Sequence, residues 1–302
     1  MIIRYARKQD SPQVKRLWAA AFGDEEPYFS WYFREIFRPQ RTLAVFDGQE
    51  MLACLQLAPY TLSLHSQPLP VAYLVGVTTA EAFRHQGIGH RLLHYALAEL
   101  AASKFQLALL YTDIPAYYAP LGFTQCYTLR QLIFSADDGE LPAGWQDYPF
   151  TTTSIRHLNN IYQKMCSEFD GFLLRNENNW RSFLGEHFSE GGGILATDHS
   201  YLLWTKDKEI LRLRELGFLD RKSLQHSLEF AQRFAAARGC SHLQWLAPQN
   251  IPLIRQRSET AFPWVMARCL SQSENMDPET IAAETRRMLG APDKKLWINE
   301  MT

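Results

Sequence analysis

The chain has 302 residues, of which 46% are hydrophobic, and its formal net charge is −1. This length exceeds that of a typical single α/β domain, so we expect two domains, each able to bury a core. The near-neutral charge gives no electrostatic basis for binding nucleic acid or an anionic membrane. We see no signal-peptide layout and no apolar run near the ~20 residues of a spanning helix. The five cysteines form no Cys-x-x-Cys pair, which favours reduced thiols in a cytoplasmic protein.

Hydrophobic periodicity in the first half of the chain predicts a regular series of elements. Helices are expected at 11–22, 26–37, 88–103 and 114–119, and strands at 2–5, 41–46, 51–63, 69–79, 107–111 and 125–134. A polar stretch with Gly and Pro at 137–145 is typical of a linker. It would separate a domain at 1–136 from a domain at 146–302.

The second half repeats the same order of elements. Helices are expected at 154–168, 176–187 and 221–238, and strands at 148–152, 193–197, 200–205, 209–218 and 242–247. The same order at a period of about 140 residues indicates an internal structural repeat.

A glycine-bearing turn, Arg84-His85-Gln86-Gly87-Ile88-Gly89, lies between a β-branched strand and an amphipathic helix. Such a turn leaves backbone N–H groups at the positive end of a helix dipole, where an anion binds well. Glycines there permit positive φ and let a phosphate approach the backbone closely. Arg84 and His85 can add positive charge. The alternative is an ordinary glycine turn leading into a helix.

A second motif follows the strand at 107–111 and reads Tyr117-Tyr118-Ala119-Pro120-Leu121-Gly122-Phe123. Together the two motifs resemble the GNAT family of acyl-CoA-dependent N-acyltransferases, over about residues 1–135. The resemblance implies an α/β (α+β) domain with a mixed, mostly antiparallel sheet flanked by helices. It implies acetyl-CoA as co-substrate, with its pyrophosphate on the glycine loop. It also implies that Tyr118 protonates the departing thiolate; the alternative is a core tyrosine with its hydroxyl outward.

Acyl transfer from a thioester requires the thioester to be held and its carbonyl to be polarised. In the family, backbone groups of the strand before the glycine loop do this where the next strand splays away. Gly76 is compatible with a bulge there, or alternatively with simple close packing. The predicted cofactor-binding residues are Val77, Thr78, Thr79, Arg84, His85, Gln86, Gly87, Ile88 and Gly89.

The acceptor side gives weaker signals. Glu25, Glu26, Phe29 and Tyr32 lie where the family often binds the acceptor, although solvated charges and core aromatics are the ordinary alternative. No general base is apparent in the sequence. Asp113, at the end of a strand, is expected to cap the following helix. No metal site is expected.

The second copy lacks this chemistry, because Leu216-Gly217-Phe218-Leu219-Asp220 stands where its phosphate loop would be. Asp220 is expected to cap the next helix and would repel a phosphate. A tandem of one equipped and one degenerate GNAT domain resembles the enhanced intracellular survival family, as do Phe172 to Arg175, Trp180, Leu184 and Glu215-Leu216. About thirty residues follow Leu270, so we expect no counterpart of that family's sterol-carrier-like domain, and no base role is implied for Thr302. A closing strand is expected at Leu296-Trp297-Ile298-Asn299.

We therefore predict a cytoplasmic N-acetyltransferase that moves an acetyl group from acetyl-CoA to a primary amine. The acceptor would be a small molecule or peptide, and attack would be direct, in a ternary complex. Two alternatives stay open: a non-catalytic module that senses acyl-CoA, and a transferase of a larger acyl or aminoacyl group.

Overall fold

The computed structural model describes residues 1–248, 251, 258–270, 276–290 and 296–297. These residues divide into two compact units. The first contains the described residues of Met1–Cys126 and Val265–Asp293, and the second those of Tyr127–Trp264 and Lys294–Glu300. Each unit therefore draws on both halves of the chain.

The first half of the chain forms six strands and four helices, close to the predicted boundaries. The elements are β1 (Ile2–Tyr5), α1 (Ser11–Phe22), α2 (Tyr28–Glu35), β2 (Thr42–Asp47), β3 (Glu50–Leu64), β4 (Gln67–Thr79), α3 (Ile88–Ala101), β5 (Leu107–Leu110), α4 (Pro115–Tyr118) and β6 (Thr124–Ser135).

The second half repeats the order and adds three elements that periodicity did not predict, β8, β13 and α8. Its elements are β7 (Gln146–Asp147), α5 (Thr152–Cys166), β8 (Gly171–Leu173), α6 (Glu177–Ser189), β9 (Gly193–Ala196), β10 (Ser200–Asp207), β11 (Ile210–Phe218), α7 (Arg221–Ala237), β12 (His242–Pro248), β13 (Ser258–Cys269), α8 (Pro278–Leu289) and β14 (Leu296–Trp297). The closing strand is present at 296–297, and the rest of its predicted span lies outside the described residues.

The two units have sheets of the same design. In the first, β1, β2, β3 and β4 pair antiparallel in sequence and β4 pairs β5 in parallel. In the second, β9, β10 and β11 pair antiparallel and β11 pairs β12 in parallel. This matching confirms the predicted fold class and the internal repeat.

The last strand of each sheet comes from the other half of the chain. In the first unit, β13 residues Met266–Cys269 pair antiparallel with Leu107–Leu110 of β5. In the second unit, β6 pairs antiparallel with β12, from His242↔Ser135 to Pro248↔Leu129. All four β5 residues are buried, so their strand needs a neighbour on both edges. Residues 265–270 and 276–290 thus belong to the first unit rather than to a domain spanning 146–302.

Two further details differ from the sequence prediction. Residues 148–152 are not a strand, because Thr151 is the N-cap of α5 and its side chain accepts the Ser154 N–H. The predicted linker at 137–145 packs on α7: Trp145 stacks on Phe230 at 4.5 Å, and Asp137 pairs with Arg233. The polar residues of this segment correctly indicate that it lies between strands. Its contacts with α7, however, make it part of the second unit.

Helix α3 covers the core of the first unit. Its buried residues recur with the period of one helical face, as the sequence predicted: Ile88, Leu92, Leu93, Ala96, Leu97 and Leu100. They pack in one cluster with apolar residues of β2 to β5 and with Tyr118, Met266 and Leu270. The core therefore fixes α3, the Tyr118 turn and the end of β13 together.

The second unit contains a fully buried ion pair. The Arg175 guanidinium donates two hydrogen bonds to the Glu215 carboxylate, at 2.7 and 2.8 Å, and Tyr201 donates a third at 2.7 Å. Aromatic rings surround the guanidinium, with its central carbon 4.0 to 4.7 Å from the ring centres of Tyr162, Trp180 and Phe183. The arrangement satisfies both charges away from water, which is the condition for burying them.

Candidate functional site

The glycine loop leads into α3 without any side chain capping the helix. Gly87 is the N-cap, with φ of 76°, and the first bond of the helix runs from the Arg91 N–H to the Gly87 carbonyl at 2.9 Å. The amides of Ile88, Gly89 and His90 consequently have no partner within the helix. They are the donors that an anion at this position would use.

The loop itself is exposed and partly left-handed. His85 has φ of 60° beside Gly87, which curves the backbone so that its N–H groups can converge on one ligand. Arg84 Nε donates to the Thr79 carbonyl at 3.2 Å, and Gln86 Nε2 donates to the Ala82 carbonyl at 3.2 Å. These local bonds shape the loop and leave the rest of the Arg84 guanidinium on the exposed side.

A bulge distorts β4 just before the loop. Cys54 faces Thr78 while Gln56 faces Val75, so Gly76 and Val77 together oppose Leu55 alone. Gly76 has φ of 62°, and a Cβ there would overlap the Trp18 ring. Both interpretations of Gly76 therefore hold: the bulge requires a positive φ, and the close packing of Trp18 leaves no room for a side chain.

The parallel pairing of β4 with β5 runs from Val71↔Leu107 to Tyr73↔Leu109. Val77, Thr78 and Thr79 lie beyond the end of this pairing, within the described residues. The parallel pairing with β5 therefore stops before the end of β4.

Tyr118 lies at the end of α4 with its ring in the core of the first unit. The ring contacts Phe123 and Tyr117 at centroid distances of 5.9 and 5.1 Å. Burial raises the pKa of its hydroxyl well above the ordinary value of 10, and electrostatic repulsion from the ionisable Tyr117 and Asp113 groups adds to the effect. Among the described residues no hydrogen bond involves this hydroxyl, so the proton is held and is available to a ligand.

The turn that follows Tyr118 is held by the end of the chain. Arg268 Nε donates to the Leu121 carbonyl at 2.7 Å, and a Cβ on Gly122 would press against Ile281 of α8. Gly122 has φ of 82°, which explains the glycine of the Gly-Phe pair. Sequence reasoning missed Arg268 and Ile281. The sequence does contain an indirect indication of them. It predicts one strand after Phe123, at 125–134, so a second strand for this sheet had to come from elsewhere in the chain.

The predicted acceptor residues do not form one open surface. Tyr32 is 1% exposed and its hydroxyl accepts from Gln56 Nε2 at 2.7 Å, so its side chain belongs to the core. Phe29 packs on Phe33 at 4.8 Å. Glu26 accepts from the backbone and hydroxyl of Ser30, which stabilises the start of α2, and Glu25 is exposed.

The expectation that Asp113 caps α4 was wrong. The N-cap of α4 is Ile114, which makes no side-chain cap, and its N–H donates instead to Thr112 Oγ1 at 3.0 Å. Asp113 is exposed, and its charge contributes to the raised pKa of Tyr118. The cap was misassigned because Pro115 fixes the first turn one residue later than the Asp-x-Pro pattern indicates.

At the corresponding position of the second unit, α7 is fully capped. Asp220 Oδ1 accepts from the Ser223 N–H at 2.7 Å, and the Ser223 hydroxyl accepts from the Asp220 N–H at 3.0 Å. The predicted cap is therefore present. Its carboxylate occupies the place where an anion would bind at α3.

Neither a metal site nor a membrane span is found in the described ranges. No group of three or more His, Cys, Asp or Glu side chains there is arranged to hold a metal ion. None of the helices described has the length and apolar character needed to cross a bilayer.

Comparison with known proteins agrees with this geometry. Residues 2–126 match the model of the acetyltransferase (GNAT) domain family. The match lies within the first unit, which in the structure also contains the end of β13 from Val265 onward and α8. No curated protein sequence matches the chain significantly.

Solved structures share the fold over most of the chain. A probable N-acyltransferase of Enterococcus faecalis superposes with a TM-score of 0.73 at 14% identity, covering 90% of this chain and 73% of its own. A GCN5-related N-acetyltransferase of Anabaena variabilis gives 0.72 at 16%, covering 89% and 73%. Eis1 of Mycobacterium abscessus gives 0.66 at 13%, covering 88% and 73%. The likeness extends over most of the chain and shows its fold, in agreement with the fold class predicted from the sequence.

Proposed function

We propose that the protein is an acetyl-CoA-dependent N-acetyltransferase with one active site, in its first unit. The observation that carries the proposal is the uncapped start of α3, whose free amides follow the splayed end of β4. The matching helix of the second unit is closed by Asp220. An anion-binding helix start in one repeat and a self-capped start in the other fits a single coenzyme site.

The proposed mechanism assigns each task to the chain's own groups. The amides of Ile88 to His90, with the Arg84 charge, hold the coenzyme pyrophosphate. Backbone groups of Val77 to Thr79 orient the thioester and polarise its carbonyl. A neutral primary amine attacks the carbonyl carbon, the C–N bond forms and the C–S bond breaks. Tyr118 gives its proton to the departing sulfur and recovers one released by the amine nitrogen through solvent.

Two cysteine thiols of the first unit support direct transfer over an acyl-enzyme route. Cys54 stands opposite Thr78 in the sheet, and burial raises the pKa of its thiol to about 12. Burial raises the pKa of the Cys126 thiol to about 12 as well. The thiolate is the nucleophilic form, and at neutral pH both groups are held as thiols.

The test is turnover with acetyl-CoA and a panel of primary amines, followed as free thiol release and as product mass. Acetylated amine with matching thiol release is expected. Binding of acetyl-CoA without turnover of any amine would favour the sensing module instead. Turnover confined to longer acyl-CoA or to aminoacyl donors would favour the alternative transferase.

Isothermal titration with coenzyme A is expected to give one site per chain, because of the two corresponding helix starts, α3 and α7, α7 is closed by a side-chain cap and α3 is not. A second site, or retention of binding when the first loop is disabled, would contradict the assignment of the second unit as degenerate.

Replacing Gly87 with valine is expected to weaken coenzyme A binding about tenfold or more. The valine side chain would enter open space, but a φ of 76° is unfavourable for valine. The loop therefore shifts, and its amides no longer point at the pyrophosphate. Gly191 of the second unit is a matched control, since it also has φ of 76° and open space. The Gly191→Val variant should carry similar strain and keep the wild-type affinity. Equal affinity in both variants would contradict the loop's role.

A further inference from the structure

Tyr117, next to the proposed acid, has no role in the mechanism so far. Its ring lies against His90 of α3 at a centroid distance of 4.4 Å, and the His90 Nε2–H donates to the Tyr117 carbonyl at 3.2 Å. These contacts hold the tyrosine of α4 against the first turn of α3.

The Tyr117 hydroxyl lies directly over Gly89. A Cβ on Gly89 would overlap this hydroxyl oxygen and would lie 3.2 Å from Thr79 Oγ1. The lack of a side chain at Gly89 is therefore needed to seat the tyrosine. The sequence explains the loop glycines by positive φ and phosphate approach, and the Tyr117 contact is a further reason for glycine at this position.

The hydroxyl is a donor without an assigned acceptor. No hydrogen bond joins it to any described residue, and burial raises its pKa above the ordinary value, so it is neutral at physiological pH. It lies against Gly89, which is in the first turn of α3, where the helix has no side-chain cap. A further neutral donor at an uncapped helix start adds a hydrogen bond to an anion without adding charge.

We propose that Tyr117 donates a hydrogen bond to the coenzyme pyrophosphate at the start of α3. This rests on the proposed function and deepens it: adjacent tyrosines on α4 serve the two ends of one ligand. Tyr117 binds the pyrophosphate and Tyr118 faces the thioester. The rings differ in direction, since their planes are 84° apart.

The experiment compares wild type and Tyr117→Phe with two donors, acetyl-CoA and S-acetylpantetheine, which lacks the pyrophosphate. With acetyl-CoA, KM and the coenzyme A dissociation constant are expected to rise about tenfold, since a bond to a charged acceptor is lost. With S-acetylpantetheine, kcat/KM should equal that of wild type. The phenylalanine keeps the ring against His90, and thermal unfolding checks the fold.

A double-mutant cycle with Gly89→Ala gives a second test. The added methyl group displaces the Tyr117 hydroxyl, so the alanine should cost affinity in wild type and much less in the Tyr117→Phe background. Equal losses with both donors, additive losses in the cycle, or unchanged affinity for coenzyme A would each overturn the inference. Failure of the wild type to bind coenzyme A at all would instead overturn the proposed function.

Discussion

Tyr118→Phe is expected to lower kcat by roughly 10²- to 10⁴-fold, the span for loss of one acid–base group. The variant keeps the ring and its contacts with Phe123 and Tyr117, so the core should be unchanged. Affinity for acetyl-CoA should change little, because the hydroxyl serves the departing sulfur more than the bound thioester. Steady-state kinetics with the best acceptor, with titration of coenzyme A, measures both quantities.

Two other tyrosines serve for comparison. Tyr117→Phe should raise KM for acetyl-CoA with a far smaller change in kcat than Tyr118→Phe. Tyr95→Phe, an exposed position on α3, should change neither. Near-normal turnover in Tyr118→Phe would mean that water or another group protonates the sulfur. Joint loss of acetyl-CoA binding in Tyr117→Phe and Tyr118→Phe, with both donors, would mean that the hydroxyls are structural.

The pH profile offers an independent check on Tyr118. The acid must be protonated to act, and its pKa is raised by burial first and by the neighbouring ionisable groups Tyr117 and Asp113 second. Its proton is consequently retained through pH 10, while the amine becomes neutral as pH rises. The rate should therefore climb towards pH 10 with no falling limb from Tyr118 below it. A falling limb centred near pH 8 that disappeared in Tyr118→Phe would contradict this environment.

Glu215→Ala is expected to lower the free energy of unfolding by about 3–5 kcal/mol. Both side chains of the Arg175–Glu215 pair are 0% exposed, so the variant leaves a buried guanidinium without its carboxylate. The Tyr201 hydroxyl loses its acceptor as well. Urea unfolding followed by tryptophan fluorescence and circular dichroism measures the loss, and Trp180 reports on the site directly.

An exposed pair provides the control for this variant. Glu229 and Arg233 lie one turn apart on α7 at 2.8 Å, with both side chains partly exposed. Glu229→Ala should leave the unfolding midpoint nearly unchanged, because water screens such pairs. Replacing Arg175 and Glu215 together by Met and Leu should recover much of the loss. A midpoint in Glu215→Ala equal to that of Glu229→Ala would contradict the account of the buried pair.

Much of each unit follows from local sequence. The spacing of Ile88, Leu92, Leu93 and Leu100 predicted α3, since one face of a helix repeats every 3.6 residues. The Asp220 cap was predicted for a similar reason: its acceptor and donor are three residues apart. In both cases the deciding groups are neighbours on the same stretch of chain.

Position within a turn was less predictable. The sequence placed Asp113 at a cap and a strand at 148–152, whereas Ile114 and Thr151 hold the N-cap positions. Pro115 sets the start of α4, and the Thr151 hydroxyl, which accepts the Ser154 N–H, sets the start of α5. These are differences of one or two residues that periodicity does not resolve.

By itself the sequence determined the repeat, the element order, the glycine loop before α3 and the tyrosine turn after β5. Each depends on residues that are close together along the chain, because hydrophobic periodicity and turn-forming residues determine local structure. Only the tertiary structure decided that residues 265–270 and 276–290 join the first unit and hold the turn after Tyr118 through Arg268 and Ile281. It alone also revealed that Gly89 seats the Tyr117 hydroxyl. These contacts join residues far apart in sequence. They form because β5 is buried and pairs with β4 on one edge and β13 on the other, which no local pattern specifies.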